Sequence, residues 1–531
     1  MAFQNNIEFT LGQGGLQTPQ PGTDYVSGIV FVSATLPSGF SYSTAQEVLS
    51  LVQAQSLGIV GNFADETAAT AHITISATGA AGSTTAITVV EPSVNGTYNT
   101  VSIGTYTLTS SDASGTINSL ASNISNFINT QYATTGYSAG TPTGASFSIT
   151  ARVGLGTIIN GTTPTIVNTG YSGVSAASFS GGINSVRMAE WYQISEYFRM
   201  NPNGVLWVDY ESSYSSFNCL NVVQQQSGNL VNQFGVYNIG ATTSAQITTD
   251  LNNIQSVAKT MFQPGYAPAV VLYAPNLYNY GSNLATLSNL RNLNDNYCSC
   301  IIEQDGNALG AWLSLMYNAS VPAYGNILGL VSSGNVSQDI GNPQNFNQVS
   351  TSYFSFPSEL SMPAFSNKQL FSYLFSTNFN LLSQLDSYGY IFGTTRANLS
   401  GTFVNDDHSC ISITSNYAYI DRNRVINKAA RLLYASLAPL INSSVIANSN
   451  GTISAQAIAI FNAAAKPNLD SMISNNNISA YPINPNATNS PNGLYINPAQ
   501  NIVSTSTVAV TLNIVPIGIA RSIQVTLGFS L

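Results

Sequence analysis

The segment Ala269-Val270-Val271-Leu272-Tyr273 is an uninterrupted apolar run without a charged residue. Two further runs of this kind are Val205-Leu206-Trp207-Val208 and Cys300-Ile301-Ile302. Short runs that are apolar at every position are typical of strands buried on both faces, as in a parallel sheet. Between Val208 and Ala269, apolar residues recur at helical spacing: Ile247, Leu251, Ile254 and Ala258. Strands alternating with helices predict βαβ units, so this part of the chain is expected to be α/β with a mostly parallel sheet.

The length and the low number of charged residues indicate a protein of several domains with extensive contacts to partners. The 531 residues are too many for one hydrophobic core, and about three domains are expected at roughly 100–200 residues each. Only 7% of the residues are Asp, Glu, Lys or Arg, against about 25% in typical soluble domains. A chain with so few charges must present a neutral polar surface or bury much of its surface against partners. Both alternatives fit a subunit of a large assembly.

The scarcity of basic residues argues against nucleic acid as a partner. The net charge is −9, and the first of the 13 Lys and Arg residues is Arg152, whereas binding a phosphate backbone requires clustered cations. We expect no targeting segment and no membrane insertion, since no run of about 18 apolar residues occurs. The cysteines lack the second ligand pair of a zinc site and are expected to be reduced: Cys219, Cys298, Cys300 and Cys410. No cofactor is predicted.

A change of composition marks an inserted unit. From Thr67 to Gly182 the only charged residues are Glu91, Asp112 and Arg152. Short β-branched runs separated by Gly, Ser and Asn predict strands and turns here. One amphipathic helix is predicted among them, capped by Asp112 or Ser114, with these apolar positions: Ile117, Leu120, Ile124 and Ile128. We therefore expect a β-rich inserted domain.

The last 130 or so residues have a third pattern. A helix is predicted from a cap at Asp421 to about Ser436, and a second from Ser454 to a break at Pro467. Two alternating strands then follow, the second of which contains Ile523, Val525, Leu527 and Phe529. An exposed terminal strand tends to pair with other chains and to aggregate, unless a sheet of a partner chain binds it.

The first of these helices carries four of the 13 basic residues: Arg422, Arg424, Lys428 and Arg431. Spacings of four and three place Arg424, Lys428 and Arg431 on one helical face. We expect this face to point away from the apolar stripe and to contact an acidic partner. The alternative is an ordinary solvated helix face.

Motifs for catalysis are sparse. The two histidines are His72 and His408, and Asp407, His408 and Ser409 are adjacent, whereas triad members come from separate segments. An ordinary hydrogen bond is therefore the favoured interpretation of His408. The pair Asp406 and Asp407 indicates a metal site only weakly. No enzyme is predicted.

The region from Phe403 to Leu531 resembles the C-terminal domain of contractile phage tail sheath proteins, nearest their Mu-like branch. The segments that carry the resemblance are Tyr417–Ile426, Ala438–Ser443, Asn448–Ser454 and Val515–Ile523 and, upstream, Ile194–Gly204 and Phe9–Gly15. The match is diffuse and extends over most of the chain outside Thr67–Gly182, and its evidence is the order of the segments.

The resemblance implies a virion protein that stacks as hexameric rings around a tail tube and contracts when the baseplate triggers it. The implied partners are other copies of the chain, the tail tube protein, and the baseplate and tail terminator proteins. Mapped onto this sequence, the tube contact is Arg422, Arg424, Lys428 and Arg431. The residues of the strands donated to neighbouring subunits are Ile7, Phe9, Leu11, Ile523, Val525, Leu527 and Phe529.

The predicted fold class is α/β plus β, with a sheath-type core, a β-rich insertion and extended terminal strands. The expected units are an N-terminal arm (1–27), an α/β core (28–66 and 184–400), the insertion (67–183), a tube-facing α+β domain (401–518) and a donated strand (519–531). A pyocin-like particle or other contractile injection system is the alternative within the same class. A β-rich receptor-binding protein or adhesin is the alternative from another class.

Overall fold

The computed structural model describes residues 24–93, 98–214, 216–262, 267–278, 280–303, 309–348, 379–394, 396, 398–399, 401–481, 493–522 and 524. The residues predicted to donate strands lie outside this part of the chain: Ile7, Phe9, Leu11, Ile523, Val525, Leu527 and Phe529. Among the described residues, no helix combines the length and the hydropathy that a membrane crossing requires.

The described chain begins with two strands of the central sheet and a short helix. They are β1 (Val26–Val32), β2 (Gln46–Val48) and the short helix α1 (Leu51–Ser56).

The next stretch forms two small antiparallel sheets of its own. Its elements are β3 (Thr70–Ile75), β4 (Thr84–Pro92), β5 (Tyr98–Thr107), α2 (Ser110–Ser114), α3 (Ile117–Thr130), α4 (Tyr132–Thr135), β6 (Ser138–Ala139), β7 (Ser146–Thr150), a 3₁₀ turn (Gly156–Ile159), β8 (Thr165–Thr169) and β9 (Val174–Ala176). The strand orders are β6-β7-β3-β9 and β5-β4-β8. The predicted helix is confirmed as α3, which buries Leu120, Ile124 and Ile128 between the sheets.

The predicted cap of α3 is wrong. Thr116 caps it, since its hydroxyl accepts from the Ser119 N–H at 3.2 Å and the Ser119 hydroxyl accepts from the Thr116 N–H at 2.9 Å. Asp112 instead lies in α2, where its carboxylate accepts from the Thr109 N–H at 2.8 Å. Two capping boxes that follow each other closely made the local sequence ambiguous.

The chain then returns to the central sheet. The elements of this stretch are α5 (Arg187–Met200), β10 (Val205–Glu211), α6 (Cys219–Gln226), β11 (Gln233–Asn238), α7 (Ser244–Phe262), β12 (Val270–Pro275), 3₁₀ turns (Gly281–Thr286 and Leu290–Asn292), β13 (Asn294–Asp295), β14 (Cys298–Ile301), α8 (Leu309–Tyr317), α9 (Tyr324–Ser333), α10 (Phe379–Ser387), β15 (Tyr390–Ile391) and β16 (Gly393–Thr394).

Seven strands form the central sheet in the order β15-β14-β12-β11-β1-β10-β2. Every neighbouring pair is parallel except β10 with β2, which confirms the predicted mostly parallel sheet. Val30 packs against a core that includes α6 and α7, whereas Ile29 and Phe31 pack against a core that includes α5 and α9. Helices therefore cover both faces, which explains why the strands are apolar at successive positions.

Several hydrogen bonds join the two chain segments at the place where the 67–183 stretch begins and ends. Thr67 and Ile183 pair as an antiparallel bridge. The Asp65 carboxylate accepts from the Ser185 hydroxyl and from the N–H groups of Val186 and Arg187, at 2.9 and 3.0 Å. An acidic acceptor at these N–H groups also complements the dipole of α5. The segments that enter and leave the stretch are thereby held together at the N-terminus of α5.

The C-terminal part packs two helices and several short strands together. Its elements are β17 (Phe403–Val404), β18 (Cys410–Ile411), α11 (Ile420–Leu437), a 3₁₀ turn (Ala438–Leu440), α12 (Ala455–Ser474), β19 (Ile478–Ala480), β20 (Leu494–Ile496), α13 (Ile502–Thr505), β21 (Val510–Leu512) and β22 (Val515–Pro516). Strand β19 pairs with β22, and β20 pairs with β21. The predicted helix with basic residues is confirmed as α11.

The predicted break at Pro467 is wrong, because α12 continues through it to Ser474. A proline in a helix interior costs about 3 kcal/mol. Beyond it, Leu469 and Met472 are buried with Val425 and Ala429 of α11. Burying two large apolar side chains contributes about 1.5–3 kcal/mol each, which is enough to offset the proline.

Candidate functional site

Helix α11 contacts residues near both ends of the described chain, and its basic residues are the main site predicted from the sequence. Arg424 is buried, and its guanidinium donates to the carbonyl oxygens of Asn335 and Gly334, both at 3.1 Å. These carbonyls follow the last turn of α9, where a cation also complements the helix dipole. Burial lowers the pKa of Arg424 to about 10. Arg424 therefore joins α11 to α9 inside the protein.

Lys428 and Arg431 hold the first described residue of the chain. The Lys428 ammonium lies 2.7 Å from one carboxylate oxygen of Asp24, and the Arg431 guanidinium lies 2.8 Å from the other. Asp24 is 5% exposed. Burial alone would raise the pKa of Asp24, but the charges of Arg431 and Lys428 hold it below its usual value. The described chain thus begins at a residue that is fixed to α11.

The prediction that the basic residues form an exposed face is wrong for Arg424 and Lys428, which are both buried. Arg422 is half-buried and places its guanidinium 5.1 Å from the centre of the Tyr419 ring. The Arg431 side chain keeps 19% of its surface exposed. A helical-face argument alone could not foresee this burial, because the carbonyls of α9 and the carboxylate of Asp24 come from distant sequence.

A second buried ion-pair site lies at the N-terminus of α11. One guanidinium, that of Arg521, is surrounded by four carboxylates, which we call the aspartate socket. The distances from Arg521 nitrogens to carboxylate oxygens are 2.7 Å for Asp407, 3.0 Å for Asp406, 3.0 Å for Asp421 and 3.5 Å for Asp339. The guanidinium carbon also lies 3.5 Å from the centre of the Tyr419 ring.

Three separate segments build the aspartate socket. Asp339 follows α9, Asp406 and Asp407 lie between β17 and β18, and Asp421 is in the first turn of α11. Asp421 was predicted to cap α11, but the N-cap residue is Tyr419 without a side-chain cap bond. Asp407 supplies the acceptor instead, since its carboxylate accepts from the Asp421 N–H at 2.8 Å.

In the aspartate socket, four carboxylates share one cation, the guanidinium of Arg521. Burial raises the pKa of Asp407 well above its usual value, and the neighbouring carboxylates Asp421, Asp339 and Asp406 raise it further. The pKa of Asp339 is raised to about 7, chiefly by burial and then by Asp406. Burial alone would lower the pKa of Arg521, but the charges of Asp407, Asp406 and Asp421 raise it. One arginine therefore stabilises several carboxylates that repel each other.

His408 lies behind the socket and has structural contacts. Its Nε2 atom lies 3.0 Å from a carboxylate oxygen of Asp386, and its Nδ1 atom contacts the Arg291 guanidinium. Asp407 bonds to Arg521, while the Ser409 hydroxyl accepts from the Asn423 amide at 2.9 Å. The three adjacent residues 407–409 thus have separate partners and do not form a triad.

Sequence reasoning missed Asp24 and Arg521, although a signal was present. Asp24 is the only charged residue between Glu8 and Glu47, and Arg521 is the only one after Asp470. In a chain with 7% charged residues, an isolated charge in an apolar stretch indicates a specific partner, because an unpaired charge is costly to bury.

Comparison with known proteins gives one family match and several structural likenesses. The model described as "DUF2586, C-terminal domain" matches residues 416–531, which include α11 and Arg521. No curated protein matches the sequence.

Among solved structures, the chain is similar to one in the 6-fold symmetrised baseplate of the anti-feeding prophage, at 10% identity and TM-score 0.41, covering 64% of this chain and 80% of that chain. The chain is also similar to a chain in the contracted sheath complex of the PVC extracellular contractile injection system. The identity is 12%, the TM-score is 0.41, and the match covers 64% of this chain and 80% of that chain. A sheath tail protein from Listeria innocua matches at 10% identity and TM-score 0.36, covering 93% of this chain and 96% of that one. Likeness at this level carries no functional conclusion by itself.

Proposed function

We propose that this protein is the structural subunit of a contractile tail sheath. In this proposal it polymerises as stacked hexameric rings around a tail tube, and contraction drives the tube through the host envelope for genome delivery. The observation that carries the proposal is that one helix, α11, holds the start of both terminal segments: Asp24 through Lys428 and Arg431, and Arg521 through Asp421.

Firm attachment of the terminal segments is what strand exchange between subunits requires. If a terminal strand pairs with a neighbour, any force between subunits passes to the body of its own subunit at the point of attachment. Buried ion pairs suit this purpose, because breaking one by removing a partner costs about 3–5 kcal/mol. Beyond these points lie the predicted strand residues Ile7, Phe9 and Leu11 and, after Arg521, Ile523, Val525, Leu527 and Phe529.

The C-terminal part also offers places where added strands would pair. The sheets β19–β22 and β20–β21 have two strands each among the described residues. A two-stranded sheet is marginally stable alone and has two edges with unpaired backbone groups. Addition of a strand from another copy would satisfy such an edge by β-augmentation.

The proposed tube contact includes fewer residues than the four basic residues predicted from the charge pattern. Arg424 and Lys428 are engaged inside the protein, so we assign them to holding α11 in place. Arg422, which is half-buried, is the main proposed residue of the contact with the tail tube protein. Arg431, which binds Asp24 but keeps 19% of its side chain exposed, is the second. The baseplate and tail terminator proteins are the proposed partners at the ends of the polymer.

Negative-stain electron microscopy of the concentrated protein tests the proposal. We expect hollow, striated cylinders of uniform diameter. A variant ending at Ser522 keeps Arg521 in its socket and removes the predicted strand, and it should remain folded without forming cylinders. Small uniform particles from the full chain, both alone and with purified tail tubes, would overturn the proposal. A sheath of a pyocin-like injection particle would give the same images, so that alternative shares the assembly and differs only in the origin of the particle.

A further inference from the structure

We propose that Arg521 and the aspartate socket form a pH-sensitive latch that fixes the C-terminal segment to the body of the protein. The latch is closed when the guanidinium occupies the socket, and it opens when the socket carboxylates take up protons. This inference concerns contacts within one chain and stands whether or not the protein is a sheath subunit.

The geometry makes Arg521 the main attachment of its segment. The guanidinium has four carboxylates within 3.5 Å and the Tyr419 ring on its face. By contrast, Ala520 and Ser522 are exposed, and a Cβ atom added at Gly518 would meet no atom within 4 Å. The backbone around Arg521 is therefore lightly packed, and the side chain provides the attachment.

The charges that face the guanidinium set the direction of the pH response. Those groups are Asp339, Asp406, Asp407, Asp421 and Tyr419, with His408, Asp386 and Arg291 behind Asp406. The positive charge of Arg521 lowers the pKa of Asp339 and of Asp407 relative to a socket without it. At unchanged burial of the carboxylates, the closed state therefore binds fewer protons than the open state, so closing releases protons and becomes more favourable as pH rises.

The range of the response follows from Asp339. Its pKa is about 7 in the closed state because of burial and the charge of Asp406. At unchanged burial, loss of the arginine charge raises the pKa of Asp339 further, so protonation near and below neutral pH favours the open state. A difference of one pKa unit between the two states changes the latch equilibrium about tenfold.

A spin label beside Arg521 measures the latch directly. The four native cysteines are buried, so Ser522→Cys introduces an exposed thiol that a nitroxide reagent modifies selectively. The measurement is made on unassembled protein, as established by sedimentation, at pH values from 5 to 8. We expect an immobilised spectrum at pH 8 and a mobile component that grows about tenfold toward pH 5. A second label site, Gln524→Cys, checks that the first label does not itself disturb Arg521.

Two variants separate a latch from a general loosening of the fold. Arg521→Gln should give the mobile spectrum at every pH, and Asp339→Asn should reduce the pH dependence while keeping the label immobilised at pH 8. Lys466→Gln, which removes an exposed ion pair with Asp470, should match the parent protein. Circular dichroism verifies that each variant is folded. A spectrum that does not change between pH 5 and 8, or an Arg521→Gln spectrum identical to the parent, would overturn the proposal.

Discussion

Arg521 and Asp421 lie 3.0 Å apart between a guanidinium nitrogen and a carboxylate oxygen, although they are 100 positions apart in the sequence. Two turns further along the same helix, Lys428 pairs with Asp24 at 2.7 Å. The body of α11 is fixed in turn by Arg424, which bonds to the end of α9. A single helix therefore connects both terminal segments to the α/β core.

Replacement of Arg521 should destabilise the C-terminal part. Arg521→Gln leaves Asp407, Asp421 and two further carboxylates without their shared cation, and loss of one partner of a buried ion pair costs about 3–5 kcal/mol. We expect a loss of about 3 kcal/mol in the free energy of unfolding, measured by urea denaturation. The loss should be larger at pH 8 than at pH 5, because protonated carboxyls do not need the cation. Lys466→Gln, at an exposed pair, should leave the free energy of unfolding close to that of the parent protein.

Replacement of Asp24 should have a comparable effect at the other terminal segment. Asp24→Asn leaves the buried ammonium of Lys428 without a counter-charge, at an expected cost of about 3 kcal/mol. The double variant Asp24→Asn with Lys428→Met should be less destabilised than Asp24→Asn alone, since it removes the unpaired charge. A double-mutant cycle measures this coupling. Strictly additive losses would show that the pair does not stabilise the fold.

Stability should fall as pH rises from about 4 to 7. Burial raises the pKa of several carboxyl groups above their usual values, among them Glu190 to about 7, Asp209 to about 7, Asp295 to about 6 and Asp339 to about 7. The folded chain consequently binds more protons than the unfolded chain in this range, and the free energy of unfolding decreases as pH increases. The carboxyls with a lowered pKa, which are Asp24, Asp112, Asp386 and Asp470, affect the stability only below their usual value of 3.8.

Asp209→Asn tests the pH argument at one residue. Asp209 is buried in β10, and the charge of Glu211 adds to the effect of burial on its pKa. The amide removes an ionisation that the fold disfavours, so this variant should be more stable than the parent at pH 8 and equal to it near pH 4. Urea denaturation at pH 4, 6 and 8 measures the slope. A variant that is less stable at pH 8 would contradict the argument.

The attachment of the 67–183 stretch should depend on Asp65. Its carboxylate accepts from the Ser185 hydroxyl and from the first N–H groups of α5, a contact equivalent to an N-cap, whose removal costs about 1–2 kcal/mol. Asp65→Ala should therefore speed hydrogen exchange at Val186 and Arg187 and lower the midpoint of thermal unfolding. Asp65→Asn keeps an acceptor and should have a smaller effect. Unchanged exchange at both amides would show that the contact is not required.

The sequence predicted the elements that repeat a local pattern, and it failed where distant segments meet. The runs around Val208 and Leu272 predicted a parallel sheet because strands that are buried on both faces are apolar at successive positions. The break at Pro467 was wrong because the buried residues Leu469 and Met472 offset a local cost. The burial of Arg424 was missed because its acceptors, 89 and 90 positions away in sequence, leave no local pattern.

The contact with the tail tube is best tested at Arg422. Its guanidinium is half-buried over the Tyr419 ring and is not among the ion pairs of the described residues, so Arg422→Glu should fold normally. If Arg422 contributes to docking, the variant should decorate purified tail tubes poorly, and the defect should lessen at high salt because exposed charges are screened. Arg424→Glu with Lys428→Glu is a different experiment: it places charge in buried positions, so loss of folding, rather than loss of docking, is the expected result. Normal tube decoration by Arg422→Glu would exclude an electrostatic contact at this end of α11 and leave Arg431 as the remaining candidate.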